Sequence, residues 1–260
     1  MMRVAALYDI HGNLPALEAV LREVREASVE QIVIGGDVVP GPMVRETLAA
    51  LRDVAIPIVY ILGNSEAAVL AQMRGLDPGS MPDAALEAIA WSAQELGTEH
   101  DAPFADWPKT RRLQIPDLGV VFFCHGTPRH ENEIFTRDTP ESRLVGLFDN
   151  LNADIVVCGH THMQFDRVIG AVRVVNAGSV GMPFGAPGAD WLLLGPGIHF
   201  RHTEYDLAEA ADRIRRTRYP QAEEFAAHSV LQPPSETSML RLLGSAELRY
   251  DAGPARRPSR

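Results

Sequence analysis

Val4-Ala5-Ala6-Leu7-Tyr8-Asp9-Ile10-His11-Gly12-Asn13 is the stretch from which the rest of the chain is read. An apolar run of strand length ends in a carboxylate, an imidazole follows two residues on, and Gly-Asn closes the stretch. Side chains alternate along a strand, so residues two apart point the same way. Asp9 and His11 therefore aim at one point beyond the strand's carboxyl end, the edge where open α/β sheets bind ligands. A hard oxygen and a nitrogen aimed outward together begin a site for a divalent metal. Polar residues leaving a strand also serve as ordinary turn formers, so the pair alone does not decide. The recurrence of the same chemistry further along does.

A helix follows, opened by Asn13 or by Leu14-Pro15, with Leu17, Val20, Leu21 and Val24 on one apolar stripe. Gln31-Ile32-Val33-Ile34 reads as a buried strand ending in Gly35-Gly36-Asp37, which completes a parallel strand-helix-strand unit. Val44, Leu48 and Leu51 mark a second amphipathic helix. Pro57-Ile58-Val59-Tyr60-Ile61-Leu62 reads as a third buried strand, ending in Gly63-Asn64-Ser65-Glu66. Each of these strands delivers a polar residue to one sheet edge, with a glycine beside it. Residues 66–109 carry helical periodicity and read as a helical cap beside the site or, equally, as a helix pair covering one sheet face. The second half is strand-rich. Val120-Val121-Phe122-Phe123-Cys124 runs into His125-Gly126, and Ile155-Val156-Val157-Cys158 runs into Gly159-His160-Thr161-His162. Residues 165–169 and 172–176 form an expected hairpin, and two more strands and a helix over 207–216 follow. The expected domain spans 1–232. A C-terminal extension at 233–260 is breaker-rich, with a disordered basic tail over 253–260.

Composition bounds the function. With 260 residues, 46% hydrophobic and 22% charged, the chain can bury a full core. A net charge of −10 argues against a general nucleic-acid binder, which would carry a basic face. No apolar run approaches the ~20 residues that span a bilayer, and Met1-Met2-Arg3 leads into no signal-peptide apolar region, so a cytoplasmic protein is expected. Two cysteines, Cys124 and Cys158, make no disulfide framework and read as core residues.

The strand-end residues are Asp9, His11, Asp37, Asn64, His125, His160 and His162, which include four of the nine histidines. His100, His199, His202 and His228 read as ordinary surface or strand residues. Seven O and N donors exceed what one ion takes, so two divalent metals sharing a carboxylate are expected. In order and spacing, Asp9-x-His11, Gly36-Asp37, Gly63-Asn64-x-Glu66, His125 and Gly159-His160-x-His162 resemble the calcineurin-like metallophosphoesterase superfamily over about residues 3–205. Gly36-Asp37…Gly41-Pro42 and Asn176-Ala177-Gly178-Ser179-Val180-Gly181 are similar to its small bacterial phosphodiesterase-like branch.

The resemblance implies an α/β fold, a four-layer αββα sandwich of two mixed sheets back to back with helices outside. It implies that Asp9, His11, Asp37 and His162 hold one metal and Asp37, Asn64, His125 and His160 the other, with Asp37 as the bridge. Mn, Fe or Zn are the expected ions, with Mg and Ni as further candidates. The implied reaction is attack on a phosphodiester by a hydroxide activated between the metals. A phosphomonoesterase, a protein phosphatase or a dinucleoside-polyphosphate hydrolase is the alternative, and a scaffold without catalysis the third reading. Where the family's familiar form has His after Gly-Asn, Ser65 stands here, which leaves open what protonates the leaving group. His130, on the loop after His125, is the candidate replacement, and Asp37, Asn64 and Glu66 complete the expected catalytic set. Asn13, Ser65 and Arg129 are the expected substrate contacts. Tyr8 stands where Ser or Thr is common and is expected to pack. Asn176 reads equally as a turn former or as a donor behind the site. The expected partner is a small phosphorylated substrate, with no membrane, and a homo-oligomer is left open.

Overall fold

The computed structural model describes residues 2–97 and 103–248, so the tail expected at 253–260, and His100, lie outside the described residues. Two five-stranded mixed sheets are present, and their order follows from where the apolar runs fall. The first sheet has the order β10-β9-β1-β2-β3, with β1 (Val4–Leu7), β2 (Gln31–Ile34) and β3 (Ile58–Tyr60) parallel. Against β1 lies antiparallel β9 (Ala189–Leu194), and β10 (Ile198–Thr203) pairs with β9. The second sheet has the order β4-β5-β6-β8-β7, made of β4 (Thr110–Ile115), β5 (Gly119–Cys124), β6 (Ile155–Cys158), β7 (Phe165–Ile169) and β8 (Val172–Asn176). Here β5, β6 and β8 are parallel, and β7 and β8 form the expected hairpin.

Strand alternation sorts the core into layers. Val4, Ala6, Tyr8 and Val33 of the first sheet meet Val121, Phe123, Val157 and Val175 of the second, filling the space between the sheets. The opposite residues, Ala5, Leu7, Ile32 and Ile34, pack outward on α1 (Leu14–Glu26). Phe122, Cys124, Val156, Cys158 and Val174 pack outward on α5 (Glu141–Phe148). The result is a four-layer αββα sandwich. Both cysteines are free and buried in that outer layer, where burial pushes their thiols up. Tyr8 lies fully buried, donating to Val157 O at 3.1 Å, in a slot where a Cβ on Gly35 or Gly159 would overlap its ring.

One expectation changes. The third strand is an edge, only half-buried: among the described residues no strand pairs on its far side, and Trp107 stacks over Tyr60 (ring centroids 4.4 Å apart). The stretch after residue 216, to which the sequence reading assigned no elements, is largely helical. After α6 (Leu207–Arg215) come α7 (Ala222–Phe225), a π-helical turn (Ala226–Leu231) and α8 (Glu236–Gly244), the last capped by Ser235. Within the stretch expected as a cap, α3 (Asn64–Met73) and α4 (Asp83–Leu96) pack together, and Ala88 of α4 shares a core with Ile214, Tyr219, Ala222, Phe225 and Val230. Among the described residues, no helix is long and apolar enough to cross a membrane.

Candidate metal centre and active site

The first sheet delivers Asp9 and His11 after β1, Asp37 after β2 and Asn64 after β3. The second delivers His125 after β5, and His160 and His162 after β6. Asp9, His11, Asp37, His160 and His162 all have φ between +48° and +68°. For residues with a Cβ this left-handed region is unfavourable, and its concentration here turns each side chain out of the strand direction and inward to one point. Two groups able to hold a metal ion result: Asp9, His11 and His162, and Asp37, His125 and His160.

Asp9 Oδ1 lies 3.3 Å from His162 Nε2 and 3.8 Å from both His11 Nε2 and His125 Nε2. Asp37 faces both groups, with Oδ2 3.8 Å from His11 Nε2 and Oδ1 3.5 Å from His125 Nε2. Backbone carbonyls set the ring orientations. Met182 O is 2.8 Å from His162 Nδ1, and Gly35 O is 2.9 Å from His125 Nδ1. Each Nδ1–H donates to its carbonyl, leaving Nε2 as the donor atom towards the centre, as metal-binding histidines require. Nε2 of His11 and of His162 then approach to 3.3 Å, and His125 Nε2 lies 2.9 Å from Asn64 Oδ1. Among the described residues, buried Asp9 Oδ1 and His160 Nε2 have no hydrogen-bond partner. Ring nitrogens and carboxylate oxygens crowded this closely, with two orphaned buried atoms among them, are the arrangement that divalent cations relieve. The donor set fits two such ions.

Charge follows the same pattern. Burial opposes ionisation of Asp9 and Asp37, yet the surrounding imidazoles outweigh it and hold both below the usual carboxylate range. Burial lowers His11 and His160 to about 4, so both are neutral at pH 7. Burial also works against the charged form of His125, but Asp37 and Asp9 raise it to about 10, and Asp9 raises His162. A metal held here would displace the protons of His125 and His162.

Several expected site residues are placed differently. Glu66 is fully buried, and its two oxygens accept from the backbone N–H groups of Asp37 (2.8 Å), Gly63 (2.9 Å), Val38 (2.6 Å) and Val39 (3.2 Å). It is a positioning residue that fixes the Asp37 loop. Burial, and Asp37 beside it, push it up to about 7 against the pull of those donors. Asn13 is also fully buried; its oxygen caps α1 and its amide donates to Gly181 O at 2.9 Å, so it ties two loops together behind the site. Arg129 forms a forked ion pair with Glu133. His130 Nδ1 accepts from Asn132 N at 3.1 Å. Neither Arg129 nor His130 lines the cleft over the metal groups, whereas Ser65 does. Ser65 donates through Oγ to Asp37 Oδ2 at 2.7 Å and through its N–H to Oδ1 at 2.9 Å. Asn176 serves both roles read from the sequence, donating to Gly159 O at 2.7 Å and accepting from Gly178 N at 2.9 Å.

The cleft measures about 490 Å³, and His11, Asn64 and Ser65 lie at its floor. Its walls were missed in the sequence. They come from α4 on one side and from Tyr219, Phe225, His228 and Ser229 on the other. A signal was present: Ala222, Phe225, Ala226 and Ser229 fall at helical spacing.

The calcineurin-like phosphoesterase superfamily domain matches residues 2–194. The chain belongs to that superfamily. As a member it is a phosphoester hydrolase, and the superfamily is metal-dependent. A curated relative, an uncharacterised protein of Methanocaldococcus jannaschii, is 26% identical over 239 residues, covering 84% of this chain and 94% of its own length. Phosphodiesterase YfcE of Escherichia coli is 25% identical over 205 residues, covering 75% of this chain and 88% of its own. Among solved structures, a hypothetical protein of Pyrococcus horikoshii has the same fold (TM-score 0.76, 24% identity, 90% of this chain and all of that one). A metallophosphoesterase from Sphaerobacter thermophilus superposes with a TM-score of 0.67 at 25% identity, covering 88% of this chain and 99% of its own.

Proposed function

We propose that the protein hydrolyses phosphodiesters with two divalent transition metals, Mn, Fe or Zn. The observation that carries the reading is Asp37, whose two carboxylate oxygens face one donor group each. In this reading Asp9, His11, Asp37 and His162 hold one cation, and Asp37, Asn64, His125 and His160 the other. Two such ions would offset charge on the phosphoryl oxygens and acidify water. The chain's own part is to orient. Glu66 fixes the Asp37 loop, Met182 and Gly35 carbonyls fix the imidazoles, and Ser65 holds the Asp37 carboxylate through two hydrogen bonds.

Two features favour diesters. Among the described residues lining the cleft there is no lysine or arginine to compensate the second charge of a monoester, and an uncompensated buried charge is costly. The Escherichia coli relative also bears the name phosphodiesterase. Because the Ser65 hydroxyl is committed to Asp37 and is far too weak an acid to replace an imidazole, rates should depend steeply on leaving-group pKa. The test is metal analysis of the purified protein, with kcat/KM on bis(p-nitrophenyl) phosphate and p-nitrophenyl phosphate under added Mn²⁺. We expect two ions per chain, a preference for the diester, and near-complete loss of turnover in Asp37→Asn. No bound ion, a preference for the monoester or wild-type turnover in Asp37→Asn would sink the reading.

A further inference from the structure

The cleft does not stop at the donor groups. Phe184 stacks on the His162 ring, centroids 5.3 Å apart and 22° between planes, so an apolar wall begins at a metal-group imidazole. From there the wall runs along Met81, Ala85, Ala88 and Ile89 of the α4 side to Tyr219 and Phe225 opposite. Tyr219 is held edge-on by Trp91 (5.0 Å, 74°) and Phe225 in turn packs edge-on against Tyr219 (6.3 Å, 85°), so that face is a fixed aromatic surface. Polar groups join this lining. His228 and Ser229 come from the π-helical turn, a rare local geometry that recurs at functional sites, and the carboxylate of Glu224 lies 3.9 Å from His228 Nε2. Glu224 is thus the one carboxylate among the described lining residues. These walls from Tyr219 onward lie beyond residues 2–194, which match the superfamily domain.

We propose that this cleft is the subsite for one ester arm of the substrate, and that it selects an uncharged aromatic or apolar arm against an anionic one. The proposal rests on the phosphodiester reading for the identity of the group that is cut. An aromatic ring fits a slot lined by alanine, methionine and aromatic side chains, where each apolar area removed from water favours binding. An arm carrying a carboxylate or a further phosphate meets no lysine or arginine among the described lining residues and approaches Glu224.

The test uses p-nitrophenyl diesters that differ only in the second arm: phenyl, methyl or carboxyphenyl. It is paired with calorimetry of diphenyl and dimethyl phosphate on the purified protein. The phenyl arm should exceed methyl by about tenfold in kcat/KM and in affinity, with carboxyphenyl well below phenyl. Ala85→Trp, which fills the slot, should collapse the phenyl-to-methyl ratio towards one. Ala84→Arg, at an exposed position on the rim, should raise carboxyphenyl relative to phenyl and keeps the test open if the tryptophan variant does not fold. A wild-type ratio near one, or ratios unmoved in the variants, would overturn the subsite. Arm-selective binding that Ala85→Trp removes, without hydrolysis of any diester, would overturn the phosphodiester reading and leave the subsite standing.

Discussion

At His160 the backbone has φ of +68° and the buried Nε2 has no hydrogen-bond partner. Both conditions oppose folding: the left-handed region costs a residue with a Cβ about 1 kcal/mol or more, and an unsatisfied buried polar atom costs a similar amount. Glycine relieves both. His160→Gly should therefore stabilise the metal-free protein by about 1 kcal/mol, raising its Tm by some ~2–4 °C, while it weakens metal binding. A fall in the Tm of the metal-free variant would show that the imidazole is kept for packing. The identities of Asp9, His11, Asp37, His125, His160 and His162 were legible because each follows an apolar run and a glycine neighbours most of them. Their convergence was read as well, but not the backbone that achieves it, since positive φ at a residue with a Cβ leaves no mark in the sequence. Glu66 shows the same limit. A carboxylate two residues after Asn64 reads as chemistry, and only the fold reveals four backbone N–H groups converging on it.

The loop that follows β5 is organised as an element by Glu133, which is almost fully buried and accepts from Thr127 Oγ1 at 2.6 Å as well as from Arg129. Burial opposes its ionisation, but Arg129 and Thr127 outweigh burial and hold the carboxyl below the usual range. A carboxyl lowered in the folded state stabilises above the unfolded pKa of about 4.3, and that contribution is lost as pH falls through the folded value. The stability gap between wild type and Glu133→Gln, measured by urea unfolding, should be largest near pH 7 and shrink below about pH 4. A gap that stays constant with pH would mean that the ion pair does not order this loop. Elements with a strong period, such as α1 and the β7–β8 hairpin, were readable from spacing alone. The edge position of β3 was not, because an apolar run looks the same whether a neighbour pairs with both sides or one. The helices after residue 216 are short and interrupted, and their apolar residues gain meaning only against Ala88 and Trp91 of a distant helix.

On the scale of the whole molecule, each donor group draws on both sheets. Asp9 and His11 meet His162, and Asp37 meets His125 and His160. Ions held there would staple the sheets together and bind the folded state alone. At a free Mn²⁺ concentration of about 100 Kd the folded protein should gain about 2.7 kcal/mol, which a chelator removes. A Tm that ignores both Mn²⁺ and chelator would place the donors out of reach of an ion. The order of the sheets carries a different consequence, for the history of each molecule. The second sheet is spun from one uninterrupted run, Thr110 to Asn176, whereas Val4 of β1 must wait for Leu194 of β9. During synthesis the younger part of the chain can thus settle before the oldest strand finds its antiparallel neighbour, since distant pairings carry the larger closure entropy. Pulse-labelled hydrogen exchange during refolding should protect β5, β6 and β8 ahead of the β1–β9 ladder. Asp9 and His11, made before the whole of the second sheet, would then find their places after it.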